Sequence, residues 1–299
     1  MIQPKELVII SGKGGTGKTS LTASFASLMH RAVLADCDVD AADLHLVLTP
    51  TIIEKYDFIS GHEPFLKKDK CSQCGTCIEM CRFEAIGFKD ETIEIDLSSC
   101  EGCGVCVYFC PEDVIGFKDR WCGNWMISST RYGPMIHAKL GIAAENSGKL
   151  VSLVREKARE VAQKENISHI IIDGPPGIGC PVIASITGAS YVIVVTEPTV
   201  SGIHDLERVT SLVDHFNIPC GIVINKWDIH PSITNQIEDL VKNRDKNILG
   251  KISYDPIVTT AQLQQRPVVE MKTPVAEEIK EIFHKVMNHV KNSKEEVSI

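Results

Sequence analysis

The chain has 299 residues, long for one domain and short for three, so one large and one small domain is the natural expectation. A hydrophobic share of 43% beside 23% charged residues implies an ordinary buried core, and a net charge of −8 (31 basic against 39 acidic side chains) argues against broad, sequence-independent nucleic-acid binding. No apolar run approaches the roughly 18 residues of a membrane span, and Leu7–Ile10 is far too short for a signal peptide, so a cytoplasmic protein is expected and membrane association is not.

In chain order, Leu7–Ile10 reads as a buried strand, residues 12–17 as a glycine-rich loop, and Lys18 to about Met29 as a helix. Ala32–Ala35 forms a second strand ending in Asp36, and a charged linker is expected around residues 61–70. Composition then becomes cysteine-rich and helix-poor until about Arg120. Beyond it, Leu150–Lys164 reads as an amphipathic helix, and Ile170–Asp173, Tyr191–Val195 and Gly221–Ile224 as strands. Near-continuous Val/Ile runs between helices indicate a mostly parallel sheet covered on both faces. The expected fold is therefore an α/β P-loop domain, residues 1–60 and 121–299, interrupted by a small α+β ferredoxin-like domain at 61–120. At the C-terminus Val275, Ile279, Ile282, Phe283, Val286, Met287 and Val290 recur at helical spacing, which suits a final helix packed on the sheet better than a membrane-surface helix.

The segment Gly12, Lys13, Gly14, Gly15, Thr16, Gly17, Lys18, Thr19, followed by Ser20, fits the phosphate-loop pattern between a strand and a helix. Its glycines let backbone N–H groups converge on phosphate oxygens, and the helix N-terminus adds favourable partial charge. In such a loop Lys18 reaches the β- and γ-phosphates and the Thr19 hydroxyl ligates Mg²⁺.

The cysteine-rich segment is an internal repeat at an offset of 29: Cys71, Cys74, Cys77 and Cys81 map onto Cys100, Cys103, Cys106 and Cys110. The following Ile-Gly-Phe-Lys-Asp stretches at 86–90 and 115–119 match as well. Each half reads Cys-x2-Cys-x2-Cys-x3-Cys, the bacterial ferredoxin spacing, in which the fourth cysteine ligates the other cluster. That assigns Cys71, Cys74, Cys77 and Cys110 to one 4Fe-4S cluster and Cys100, Cys103, Cys106 and Cys81 to a second. Zinc would leave the x3 cysteines unexplained. Pro111 follows Cys110 as usual, whereas Arg82 follows Cys81. Residues 61–120 carry 7 basic and 12 acidic side chains, a balance of −5 that suits a low reduction potential.

Lys13 makes the phosphate loop resemble the deviant Walker motif of the MinD, ParA, Mrp and nitrogenase iron-protein superfamily. The resemblance covers most of residues 5–60 and 121–290, and its nearest group is the MinD-superfamily proteins with an inserted ferredoxin domain. It implies an ATP-dependent homodimer in which Lys13 reaches the partner's nucleotide. Asp36-Cys37-Asp38 resembles switch I, with Asp36 near Mg²⁺ and Asp38 orienting the attacking water. Asp173-Gly174-Pro175-Pro176-Gly177 resembles switch II, with Asp173 holding Mg²⁺ through water and Gly177 sensing the γ-phosphate. Lys13, Lys18, Asp38 and Asp173 are thus the expected catalytic residues, and Asn225-Lys226 resembles the position that reads adenine, with Asn225 the expected nucleotide-binding residue.

Four cysteines lie outside the repeat. Cys180, seven residues after Asp173, falls where the nitrogenase iron protein carries a ligand to a cluster bridging its dimer; the second ligand position, near Glu145 and Asn146, has no cysteine. A buried packing residue is the competing reading of Cys180, Cys122 could partner it, and Cys37 and Cys220 read as packing residues. Trp121, Trp125 and Trp227 read as core or interface aromatics, and His204 and His215 as surface residues of a helix. The function these residues imply is ATP hydrolysis that controls electron delivery from two 4Fe-4S clusters to a redox or metalloenzyme partner protein. A carrier of clusters or metallocofactors and a positioning ATPase of the MinD/ParA type are the alternatives.

Overall fold

A computed structural model of the chain describes residues 3–67, 71–89, 92–141 and 147–292. Two units are distinguished, one of Met1–Tyr56, Trp125–Lys139 and Ser147–Ile299, the other of Asp57–Asn124 and Leu140–Asn146. In chain order the elements are β1 (Lys5–Ser11), α1 (Lys18–Met29), β2 (Val33–Asp36), α2 (Leu44–Leu48), β3 (Thr51–Leu66), α3 (Thr76–Glu79), β4 (Ile86–Lys89), β5 (Thr92–Ile95), α4 (Val105–Tyr108), β6 (Ile115–Thr130) and β7 (Gly133–Leu140). They continue with α5 (Ser147–Lys164), β8 (His169–Pro176), α6 (Cys180–Ile186), β9 (Tyr191–Thr196), α7 (Val200–His215), β10 (Cys220–Asn225), α8 (Pro231–Asn243), β11 (Asn247–Ile252), α9 (Ile257–Leu263) and α10 (Pro274–Asn292).

The main sheet has the order β11-β10-β9-β1-β8-β2-β7-β6-β3. Every pairing from β11 to β7 is parallel, the outcome required when buried Val/Ile strands alternate with helices. Leu7, Ile9, Leu34, Ile171 and Ile193 are fully buried in one core that also receives Phe25 of α1 and the apolar face of α10. Phe25 and Phe283 meet edge to face with centroids 5.2 Å apart, so the C-terminal helix is a core element, as its spacing predicts. Burial of one such aromatic stabilises the fold by about 2–3 kcal/mol. On the other face, Glu6 of β1 is buried and accepts a hydrogen bond from Arg155 Nε of α5 at 3.0 Å. Arg155 Nη1 also donates to the carbonyls of Ala184 and Thr187, tying α5 to the helix that follows Asp173. No helix among the described residues is long and apolar enough to cross a membrane.

One expectation needs correction. Residues 61–66 are not a linker but the second half of the 16-residue β3; residues 68–70 of that expected linker lie outside the described residues. Phe58, Ser60 and Pro64 are buried in this strand while Ile59 and His62 between them are exposed, so apolar character and burial do not alternate together along it. The division of the chain into two units falls after Tyr56 and after Asn124.

The second unit repeats itself in three dimensions. Residues 76–79 form α3 and residues 105–108 form α4, again 29 apart. Glu84 and Asp113 both adopt positive φ (52° and 51°), and Gly75 and Gly104 share φ 77°. The halves exchange equivalent backbone bonds, Lys67 N–H to Val114 O at 2.7 Å and Asp96 N–H to Ala85 O at 2.8 Å. Its small core consists of Cys77, Ile86, Ile93, Cys106, Val114 and Ile115.

Candidate functional site

The phosphate loop leaves the carboxyl end of β1, where ligand sites of open parallel sheets collect. Gly15 and Gly17 have φ of 77° and 93°, a left-handed conformation that costs a residue with a Cβ about 1–2 kcal/mol. At Gly17 a side chain is also excluded by Asn225, whose Nδ2 would lie 2.4 Å from an added Cβ. The Thr16 hydroxyl is buried and is the one such side-chain atom among the described residues left without a hydrogen-bond partner. A cradle that only glycine can form, lined by an orphaned buried donor, suits a phosphate chain.

Behind the loop, three carboxylates from β2, its following turn and β8 converge. Asp173 accepts hydrogen bonds from Thr19 Oγ1 at 2.7 Å and Thr22 Oγ1 at 2.9 Å. Asp36 accepts from the backbone N–H groups of Asp38 and Leu44, and Asp38 lies 3.5 Å from Lys18 Nζ. Burial pushes all three pKa values up, that of Asp173 to about 6; Asp36 is raised further by the charges of Asp173 and Asp38, while Lys18 opposes the rise at Asp38 and Asp173. Three buried acids facing one buried lysine form a site short of positive charge, and hard oxygen ligands of this kind suit Mg²⁺. Of the expected residues, Lys18, Thr19, Asp36, Asp38 and Asp173 are therefore brought together.

Three others take unforeseen roles. Lys13 is held by its own chain, 2.7 Å from Glu197 and within hydrogen-bond distance of Thr199 and Ser201. Gly177 donates its N–H to Ser11 O at 2.8 Å with φ 92°. Asn225 Nδ2 donates to Thr16 O at 2.7 Å, so this side chain braces the phosphate loop. Lys226, expected beside Asn225 at the adenine position, donates to Gly15 O at 3.3 Å, whereas Glu197, Thr22 and Gln262 escaped sequence reasoning. Thr22 was legible, one helical turn beyond Lys18; Glu197 has no local signal beyond standing just past the end of β9.

A family model for the CobQ/CobB/MinD/ParA nucleotide binding domain matches residues 7–268. The chain belongs to that family. An uncharacterised protein of Methanocaldococcus jannaschii is 32% identical over 289 residues, 95% of this chain and 97% of its own length. The septum site-determining protein MinD of Bacillus subtilis is 24% identical, with 88% of this chain and 81% of that protein aligned. Among solved structures, Pyrococcus horikoshii MinD complexed with Mg-ADP matches with a TM-score of 0.56 at 19% identity, covering 95% of this chain and 96% of that one.

This member of the MinD/ParA family carries a second candidate site in its cysteine-rich unit. One cavity is lined by Cys71, Cys74, Cys77 and Cys110, and another by Cys81, Cys100, Cys103 and Cys106. Each thus takes three cysteines from one half of the repeat and the fourth from the other. Backbone N–H groups of Gly102 and Val114 point at Cys100 Sγ and Cys110 Sγ, both at 3.4 Å. Burial raises the Cys77 and Cys106 thiol pKa values, whereas hydrogen bonds from Thr76 lower that of exposed Cys74. Among the described residues no group of three or more His, Cys, Asp or Glu is placed to hold a single metal ion.

Cys180 opens α6 and is exposed, with Gly148 of α5 so close that an added Cβ would lie 3.5 Å from the Cys180 Cβ. Glu145 and Asn146 lie outside the described residues. Cys122 is buried and donates to Ser60 O at 3.2 Å. Cys37 is fully buried, while Cys220 is only partly so.

Proposed function

We propose that the chain is a Mg²⁺-dependent nucleotide-switch ATPase of the MinD/ParA type whose cysteine-rich unit, roughly residues 57–124, holds two 4Fe-4S clusters. ATP as the nucleotide rests on the resemblance and on relatives such as the MinD solved with Mg-ADP. Lys18, Thr16 and the N–H groups of the loop bind the phosphates; Thr19, Asp36 and Asp173 hold Mg²⁺; Asp38 positions the attacking water once Lys18 turns to the nucleotide. Neutralising the three acids is the electrostatic gain that makes binding of the metal and the nucleotide mutually supporting.

The observation that carries the cluster reading is the crossed grouping of cysteines, three from one half and one from the other in both cavities. Thiolates in that grouping are the donor set of a ferredoxin module, and a bound cluster supplies one-electron redox capacity at low potential. The N–H groups on Cys100 and Cys110, together with the acidic balance of the unit, tune that potential in opposite directions. Release of Lys13 from Glu197 frees it to meet a second copy's nucleotide, so an ATP-dependent homodimer follows, with electron delivery to a partner protein as its output.

A positioning ATPase is favoured by the names of the relatives, several of which are septum site-determining proteins. Anaerobic purification with iron and sulfide determination, then electron paramagnetic resonance of the dithionite-reduced protein with and without Mg-ATP, tests the leading reading. Two cubane signals that shift with nucleotide are expected. Protein free of iron that sediments with liposomes or DNA only in ATP would instead establish the positioning role.

A further inference from the structure

Within the cysteine-rich unit, each residue of one half of the repeat has a counterpart 29 positions away in the other. The cavity lined by Cys71, Cys74, Cys77 and Cys110 is here the Cys71 site, and that lined by Cys81, Cys100, Cys103 and Cys106 the Cys100 site. Much between them is equal and cancels. Each has one buried cysteine, Cys77 or Cys106, and each receives a backbone N–H on one cysteine sulfur. The walls are not equal.

Phe83 lines the Cys100 site, whereas its counterpart Glu112 lines the Cys71 site. Phe117 closes the Cys100 site further: its ring lies 3.3 Å from a Cβ added to Gly104, and both residues line that cavity. The counterpart ring, Phe88, is half exposed, and no atom of the described residues comes within 4 Å of a Cβ added to Gly75. Arg120 Nη1 donates to Cys100 O at 3.1 Å, and Cys100 is half-buried; Cys71, its counterpart, is exposed. The repeat offers Glu91 in place of Arg120, and a carboxylate has no N–H to give.

These differences act together on access. An apolar wall keeps water and hydrophilic reagents from a metal site, and a carboxylate draws water in. On reduction potential they oppose one another, because hydration favours the extra negative charge of a reduced cluster while the Glu112 carboxylate disfavours it. Access is therefore the property that the walls decide. We propose that the two sites are unequal in access: the Cys71 site faces water and is the place where electrons and iron exchange with the surroundings, while Phe83 and Phe117 seal the Cys100 site. An electron leaving through the Cys71 site reduces a one-electron acceptor, with no bond made or broken.

The inference rests on the reading that the unit holds two 4Fe-4S clusters, and the experiment separates the two. Full chain purified without oxygen and reduced with dithionite is mixed with the water-soluble Fe(II) chelator ferrozine, and iron release is followed by absorbance. Oxidation of the reduced protein by ferricyanide is followed by stopped flow. The wild type is expected to release iron in two phases of similar size whose rates differ by at least about 10-fold, the cost in rate of swinging a half-buried phenylalanine into water. Glu112→Phe is expected to slow the fast phase and Phe83→Glu to quicken the slow one, each by a similar factor, with ferricyanide oxidation following the same order. Both reagents are anions, so Glu112→Gln serves to remove the charge and keep the opening; its fast phase should stay within about 2-fold of wild type. Phe117→Ala opens the Cys100 site without adding charge, and first-order rates do not depend on the fraction of chain that is loaded, so a poorly loaded Phe83→Glu does not obscure the outcome. A single phase in the wild type, or phases that none of the wall substitutions moves, overturns the inequality. A fast phase altered as much by Glu112→Gln as by Glu112→Phe overturns the role of the opening. Chain that carries neither iron nor sulfide defeats the underlying cluster reading instead.

Discussion

The phosphate-loop edge and the cysteine-rich unit are built by opposite strategies. At the edge of the sheet, Lys18, Asp38 and Asp173 come from three separate β–α connections, and only parallel register brings them together, as in the pairing of Asp36 with Asp173. The cysteine cavities are assembled from two copies of one short spacing, 29 residues apart, whose halves trade a single residue. The first site is supported by an extensive apolar core and stands ready before any ligand arrives. The second rests on a core of six residues in which Cys77 and Cys106 are themselves members, so the cysteines that line its cavities also do its packing. On the proposed reading a unit of this size depends on its clusters for stability, whereas the sheet does not.

The sharpest way to break the contrast is to disable one site and inspect the other. Lys18→Ala should lower nucleotide hydrolysis by about 100-fold or more in single-turnover assays, while iron per chain stays unchanged. Conversely, Cys106→Ser should remove about half of the iron and lower the melting temperature of the second unit; hydrolysis unchanged by this variant would mean that the two sites work independently.

A third test addresses the first unit's own stability. His137 is buried against Ser128, with Ser128 Oγ 2.8 Å from its Nε2, and burial, assisted by His45, depresses its pKa to about 4. Because the folded-state value lies below the unfolded one near 6.5, the stabilisation is complete above pH 6.5 and is lost as pH falls toward 4. The loss should reach about 3 kcal/mol, and chemical denaturation of His137→Asn should be flatter across that window. The smallest effect is expected for Glu197→Gln. It removes a partly exposed ion pair with Lys13 and should cost about 1 kcal/mol or less in thermal melts, while raising the rate of nucleotide-dependent dimerisation measured by light scattering.

Particular residues mark how much of this was legible. Gly12–Thr19 and the eight repeated cysteines announce themselves because their chemistry demands fixed local spacing, and α1 runs from Lys18 to Met29 as its pattern requires. β3 did not announce itself, since Ile52, Ile53, Tyr56, Ile59, Phe65 and Leu66 are exposed while its buried positions include a serine and a proline, so apolar character and burial do not coincide along it. Nor did Glu197 or Thr199, whose importance comes from Lys13 near the other end of the chain.

By itself, then, the chain's order of residues determined the parallel α/β class, the phosphate loop and the pairing of the two cysteine halves, because these depend on short-range period and spacing. Only the tertiary structure decided that Lys13 rests on Glu197 and that Asn225 braces the loop. Those are consequences of which strand ends the sheet places side by side, and burial and hydrogen-bond satisfaction across such distances leave no imprint on local sequence.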